Sequence, residues 1–138
     1  MKKKKLPKGL SLNNPFNIKV GNDWQGESII KDPVFESYVD MESGIRAGLI
    51  NLYNAYFSKG LTLAAMVHKY APEKDNNNEA AYVAFLSEKT GVLSNQVPFR
   101  FQWLLLASAI MRNEQGQDIM SAEELKPIAI KYNLLNYV

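Results

Sequence analysis

The sequence predicts a mainly α-helical domain carrying a small β-hairpin, and three observations lead there. Apolar residues recur at helical spacing over most of the chain after Met41. Helix stops and starts punctuate those stretches at Gly60, Thr62, Pro72, Gly91 and Ser121. The region before them, Asn13 to Glu42, is instead rich in turn formers and carboxylates, with short β-capable pieces.

In the front region, Phe16 to Val20 and Ser28 to Ile30 flank Gly-Asn-Asp-Trp-Gln-Gly, which reads as a hairpin. Two strands alone are marginal, so the hairpin must rest on helices. From Met41 to Phe57, Ile45, Leu49, Leu52 and Tyr56 form one apolar stripe, with Asp40 placed to cap and Gly60 to stop it. A second helix spans Thr62 to Tyr70, ended by Pro72, which disfavours helical geometry at Ala71. A third begins after Asn77 or Asn78, buries Ala81, Phe85 and Leu86, and ends at Gly91. Phe99 to Asn113 is apolar nearly all round, the mark of a central buried helix. Ser121 with Glu124 makes a capping box for a last helix, which Pro127 should kink or delay to about Leu125.

A chain of 138 residues suits one domain with its own core, and 46% hydrophobic with 22% charged residues is ordinary globular composition. The expected organisation is a basic flexible tail over residues 1–12 and a single domain over 13–138. The formal charge of +2 comes from Lys2, Lys3, Lys4, Lys5 and Lys8, and the rest is slightly acidic. The body therefore shows no basic face for nucleic acid, and nucleic-acid binding through the head ranks last among the functions considered. The lysine head itself reads as a solvated terminus or as a tether to an anionic membrane or wall surface.

The absence of cysteine excludes a disulfide scaffold and thiolate chemistry. His68 stands alone, so neither a zinc site nor a nucleophilic triad can be built on it, and no metal or other cofactor is expected. No phosphate loop or dinucleotide fingerprint occurs, which argues against a nucleotide cofactor. No signal peptide or membrane-spanning run is read in the sequence, so the expected location is the virion or the host cytoplasm, with delivery to a cell wall needing another route.

Carboxylates remain. Glu27, Asp32, Glu36, Asp40 and Glu42 cluster in the polar front, where Glu36 and Glu42 read as helix-entry charges. Glu114 closes the most apolar helix, on the face of Trp103, Ala107, Ile110 and Met111. Desolvation there would raise its pKa toward the range of a general acid, whereas a plain helix-end glutamate would be solvated at the turn Gln115-Gly116.

The segments NNPFNIKVGNDWQGE, FESYVDMESGIRAGLINLY, LTLAAMVHKYAP, DNNNEAAYVAFLSEKTG and MRNEQG, in that order, resemble a family of small phage and prophage proteins. Members read NNPGNI, W-x-G, F, GIRA, T-I-x-x-I-I-x-x-W-A-P, E-N-D-T-x-x-Y and E-N-G, and are described as virion or lytic proteins. Here Phe16 replaces a glycine, Tyr70 a tryptophan, and Asp75 to Asn78 the ENDT run. The order N-x-F-x-I-K, W-x-G, F-x-x-Y, S-I is also similar to flagellar-type glucosaminidases, in which the block follows a helix ending in a catalytic glutamate. Here the nearest such helix, LLLASAIMRNEQGQ, lies at the other end of the chain.

The resemblance implies a circularly permuted lysozyme-like domain that cleaves the glycan strand of bacterial peptidoglycan as a muramidase, glucosaminidase or lytic transglycosylase. It casts Glu114 as general acid and Glu27 as its companion, or leaves Glu114 alone if the substrate's N-acetyl group assists. Trp24, Phe35 and Tyr38 would stack on sugars, Asn14 and Asn17 would meet N-acetyl and peptide groups, and Arg46 would orient a carboxylate; beside these roles, Asn14 before Pro15 also reads as a turn residue, Phe35 as core and Arg46 as half of a surface salt bridge. The chief alternative is a non-enzymatic virion structural or interaction protein that grips membrane, wall or genome through its basic N-terminus.

Overall fold

A computed structural model describes residues 6–134. The lysine head, Lys2 to Lys5, lies outside the described residues. Among the described residues six helices carry the fold: α1 (Lys8–Ser11), α2 (Met41–Ala55), α3 (Leu63–Tyr70), α4 (Glu79–Thr90), α5 (Trp103–Gln115) and α6 (Ala122–Lys131). Short 3-10 turns at Phe57–Lys59, Glu73–Asp75 and Arg100–Gln102 lead out of or into them. The described residues are α-rich with almost no β-structure.

The caps sit where local chemistry puts them. Asp40 accepts from Ser43 N at 2.8 Å, Thr62 from Ala65 N at 3.2 Å, and Asn78 from Ala81 N at 3.0 Å, each satisfying a donor that a helix start leaves unpaired. Gly60, Gly91 and Gly116 take the left-handed conformation that closes the turns after α2, α4 and α5.

The spine is α5. Trp103, Leu106, Ala107, Ile110 and Met111 are all buried on it, with α4 packed on one side and α6 on another. Leu105 alone among its leucines is substantially exposed. In α4 Leu86 is buried as expected and Phe85 packs half-buried against the core, but Tyr82 takes the inward place expected of Ala81, which is exposed. The capping box of Ser121 and Glu124 starts α6 at Ala122, and the helix runs through Pro127 rather than being delayed to Leu125. Pro127 is exposed, and burial of Leu125, Ile128 and Ala129 holds the helix across the missing hydrogen bond.

The expected hairpin is replaced by a different pairing. Phe16 to Val20 pairs with Val34 to Glu36, through Val20 N to Val34 O and Glu36 N to Ile18 O, both 2.9 Å. Gly26 to Ser28 pairs instead with Ser37 to Val39, and among the described residues only two isolated bridges, Lys19 with Phe35 and Glu27 with Tyr38, have strand character. Ile29 and Ile30 point to solvent, 96% and 74% exposed. The turn forms at Asp32, whose carboxylate accepts from Val34 N and Phe35 N, and this returns Phe35 to Tyr38 between the two earlier passes.

Candidate functional site

The front segment is seated on α2 by missing side chains. A Cβ at Gly44 would lie 1.7 Å from Asn13 O, and one at Gly48 would lie 2.0 Å from the Phe16 ring. Two glycines one helical turn apart thus open a groove into which Asn13 to Phe16 press. Asn13 and Asn17 both adopt positive φ, 56° and 54°, a conformation asparagine tolerates better than other branched or bulky residues. Within this Lys8 to Asn17 stretch, residues read as tail also pack down: a Cβ at Gly9 would meet Gln115 Nε2 at 2.3 Å.

Asn14 is fully buried. Its Nδ2 donates to Ile18 O and Glu36 O at 2.9 Å each, and its Oδ1 accepts from Ile18 N at 3.0 Å. Both amide protons and the carbonyl oxygen are engaged within the front segment and the side chain is buried, so Asn14 acts as a structural tie there rather than as the ligand-facing amide expected.

The same segment meets the end of α5. Asn17 Nδ2 donates to Glu114 Oε1 at 2.8 Å, and Tyr82 OH donates to Glu114 Oε2 at 2.7 Å. Gln115 Nε2 donates to Pro15 O at 2.9 Å and to Asn17 Oδ1 at 3.1 Å. Tyr70 OH donates to the Phe16 carbonyl. Burial first, and the Glu114 charge second, push the Tyr70 and Tyr82 hydroxyls well above the ordinary phenol range. They remain neutral donors. Glu114, half-buried, therefore faces the front block as expected, with both carboxylate oxygens engaged.

Glu27 belongs to a different cluster. Its carboxyl meets Glu36 and stands 4.0 Å from Lys31, and its backbone bridges to Tyr38. Glu36, expected at a helix entry, is buried and accepts from Gly21 N at 3.2 Å. Desolvation first, then the hydrogen bond and charge of Glu27, push its pKa up to about 7. Glu42 does sit in the first turn of α2, paired with Lys131 Nζ at 2.7 Å.

The aromatic residues are packed rather than displayed. Tyr38 is 2% exposed, with its hydroxyl enclosed and without a hydrogen-bond partner among the described residues, so it offers no face for stacking on a sugar. Trp24 is half-buried against the core with its indole N–H enclosed. Phe35 is half-buried and lies 5.9 Å from the Lys8 ammonium, which also pairs with Asp32 at 2.8 Å. Arg46 stacks on Tyr132, 5.5 Å from its ring centre, instead of orienting a carboxylate.

Beside Asn17 and Tyr70 opens a cleft of about 340 Å³, floored by Ile18 and Tyr56. Its walls are the front segment on one side and residues 69–75 on the other. Sequence reasoning passed over Tyr70, Tyr82 and Gln115, which complete the cluster around Glu114. The available signal was position: Tyr70 and Tyr82 fall in the WAP-like and ENDT-like runs, and Gln115 follows Glu114 directly.

No protein-family model matches the chain. Its sequence is 34% identical over 125 residues to Protein P5 of Pseudoalteromonas phage PM2, a match that takes in 86% of this chain and 78% of that protein. Identity at that level over most of both chains carries the fold with it, and the chain is a phage-related protein belonging to the family of the phage PM2 Protein P5.

Proposed function

We propose that the protein is a non-enzymatic structural or interaction component of a phage particle. The observation that carries this reading is its kinship with Protein P5 of phage PM2. Support comes from the internal use of the polar groups: Asn14, Asn17 and Glu114 bond one another's segments and hold the front block against α2 and α5. In this role the folded body is a compact module, and Lys2 to Lys5 act as the grip on an anionic membrane, wall or genome surface. The test is compositional. Particles purified from the encoding strain should contain the protein at a fixed number of copies that survives density-gradient banding. Recovery only in the particle-free lysate would refute the proposal.

One observation favours a second reading, that of a lysozyme-like enzyme cutting the peptidoglycan glycan strand. Glu114 closes the apolar helix α5 and touches Asn17, which itself borders the 340 Å³ cleft. A carboxyl that reaches a cleft through a neighbouring side chain supplies one of the two acid groups that a glycosidase ordinarily uses. On this reading purified protein clears peptidoglycan in a zymogram and Glu114→Gln does not.

A further inference from the structure

Three lysines converge on the cleft beside Asn17. Lys19 comes from the front segment, Lys69 from the end of α3 and Lys74 from the turn that follows. The one carboxylate in the lining, Asp75, is held by Lys19 at 2.8 Å. Lys74 has no carboxylate within ion-pairing distance among the described residues, although its charge is felt at Asp75. The Lys69 ammonium stands 4.9 Å from the Tyr56 ring centre and donates to Ala55 O at 2.5 Å, which fixes its position and leaves further N–H groups available. With Lys2 to Lys5 set aside the chain is slightly acidic, so this concave basic spot stands against the charge of its surroundings and concentrates positive potential.

The remaining lining is suited to hydroxyl groups. Asn22 and Asn51 present amides that make no hydrogen bond within the described residues, and each supplies both donors and an acceptor. The volume, about 340 Å³, falls at the small end of ligand pockets and admits one ring-sized molecule rather than a duplex or a bilayer.

We infer that this cleft is a binding site for a small anionic, polyhydroxylated ligand of sugar-phosphate type, its acid group held by Lys69 and Lys74 and its hydroxyls by Asn22 and Asn51. Lys19 is a third contact that the ligand must win from Asp75, so the Lys19–Asp75 pair across the cleft competes with the ligand. The inference stands whether or not the protein is a particle component.

The experiment is amide chemical-shift titration of the full chain with glucose 6-phosphate, inorganic phosphate and glucose, each at constant ionic strength. Glucose 6-phosphate should shift the amides of residues 17–22 and 69–75 in a saturable way and bind more tightly than either of the others. Lys74→Met, at an exposed position, should weaken it about tenfold, equivalent to about 1.4 kcal/mol. Lys69→Met should do the same, and Asp75→Asn should tighten binding by freeing Lys19. Inorganic phosphate binding as well as the sugar phosphate would overturn the polyhydroxylated part of the assignment. Shifts matched by sodium chloride, or affinity unchanged in Lys74→Met with the spectrum intact, would overturn the site.

Discussion

The amide of Asn17 and the carboxylate of Glu114, 97 residues apart in sequence, meet at 2.8 Å. Asn17 can reach because its backbone is left-handed, at φ 54°, and because Gln115 takes the other end of the same amide. Tyr82 closes the second carboxylate oxygen from α4. Three segments distant along the chain are thus tied at one point. Asn17→Ala and Glu114→Ala should each lower stability, and a double-mutant cycle should return a coupling of about 1–2 kcal/mol, read by chemical denaturation. A coupling near zero would show that the contact holds nothing.

Asn14 is the more demanding position. Asn14→Ala strands Ile18 O, Glu36 O and Ile18 N in a buried site, and should cost about 3 kcal/mol. Asn14→Asp should be as damaging, because a carboxylate has no proton to give the two carbonyls unless it is itself protonated. Equal Tm for wild type and Asn14→Ala would contradict the account of the front segment.

The glycines of α2 make a steric prediction. Gly48→Ala places a methyl group against the Phe16 ring and should destabilise by about 2–3 kcal/mol despite the higher helix propensity of alanine. Gly44→Ala, which meets backbone at Asn13 O, should be worse. Gly60→Ala meets no atom within 4 Å, so its cost should come only from the left-handed backbone at φ 64°.

Stability should depend on pH through Glu36. Its folded pKa, about 7, lies above the unfolded value of 4.5, so the folded chain holds that proton more tightly. The stabilisation is complete below pH 4.5 and is lost as pH rises through about 7. The groups facing it are Glu27, whose charge raises the pKa, Lys31, which lowers it, the buried Tyr38 and the Gly21 amide. The loss should amount to about 1–3 kcal/mol, and Glu36→Gln should flatten it. Denaturation midpoints of Glu36→Gln that fall with pH as steeply as those of wild type would remove Glu36 as the cause.

Helices α2 to α6 were legible because their signals are local, whereas α1 falls in the stretch read as a flexible tail. Asp40, Thr62, Asn78 and Ser121 cap, and Gly60, Gly91 and Gly116 terminate, within one turn of the residues they serve. The front block was not, because its pairing depends on the register of three passes. Ser28 to Ile30 has the β-branched composition of a strand, yet Phe35 to Tyr38 wins its place by burying Tyr38 and Glu36. Of the candidate site, the approach of Glu114 to the front block was implied by the resemblance to flagellar-type glucosaminidases, since the apolar face of α5 shows only which way Glu114 lies on its own helix. The ties that consume Asn14 and Asn17 were not, since they require left-handed backbone at Asn13 and Asn17 and the two-glycine groove of α2.

Glu114 as a tie and Glu114 as an acid differ most in one assay. Purified wild-type protein and Glu114→Gln are compared on a peptidoglycan zymogram, with Tm recorded for both. The structural account predicts no clearing by either protein and a lower Tm for the variant. Clearing by wild type that vanishes in a variant of unchanged Tm would contradict it.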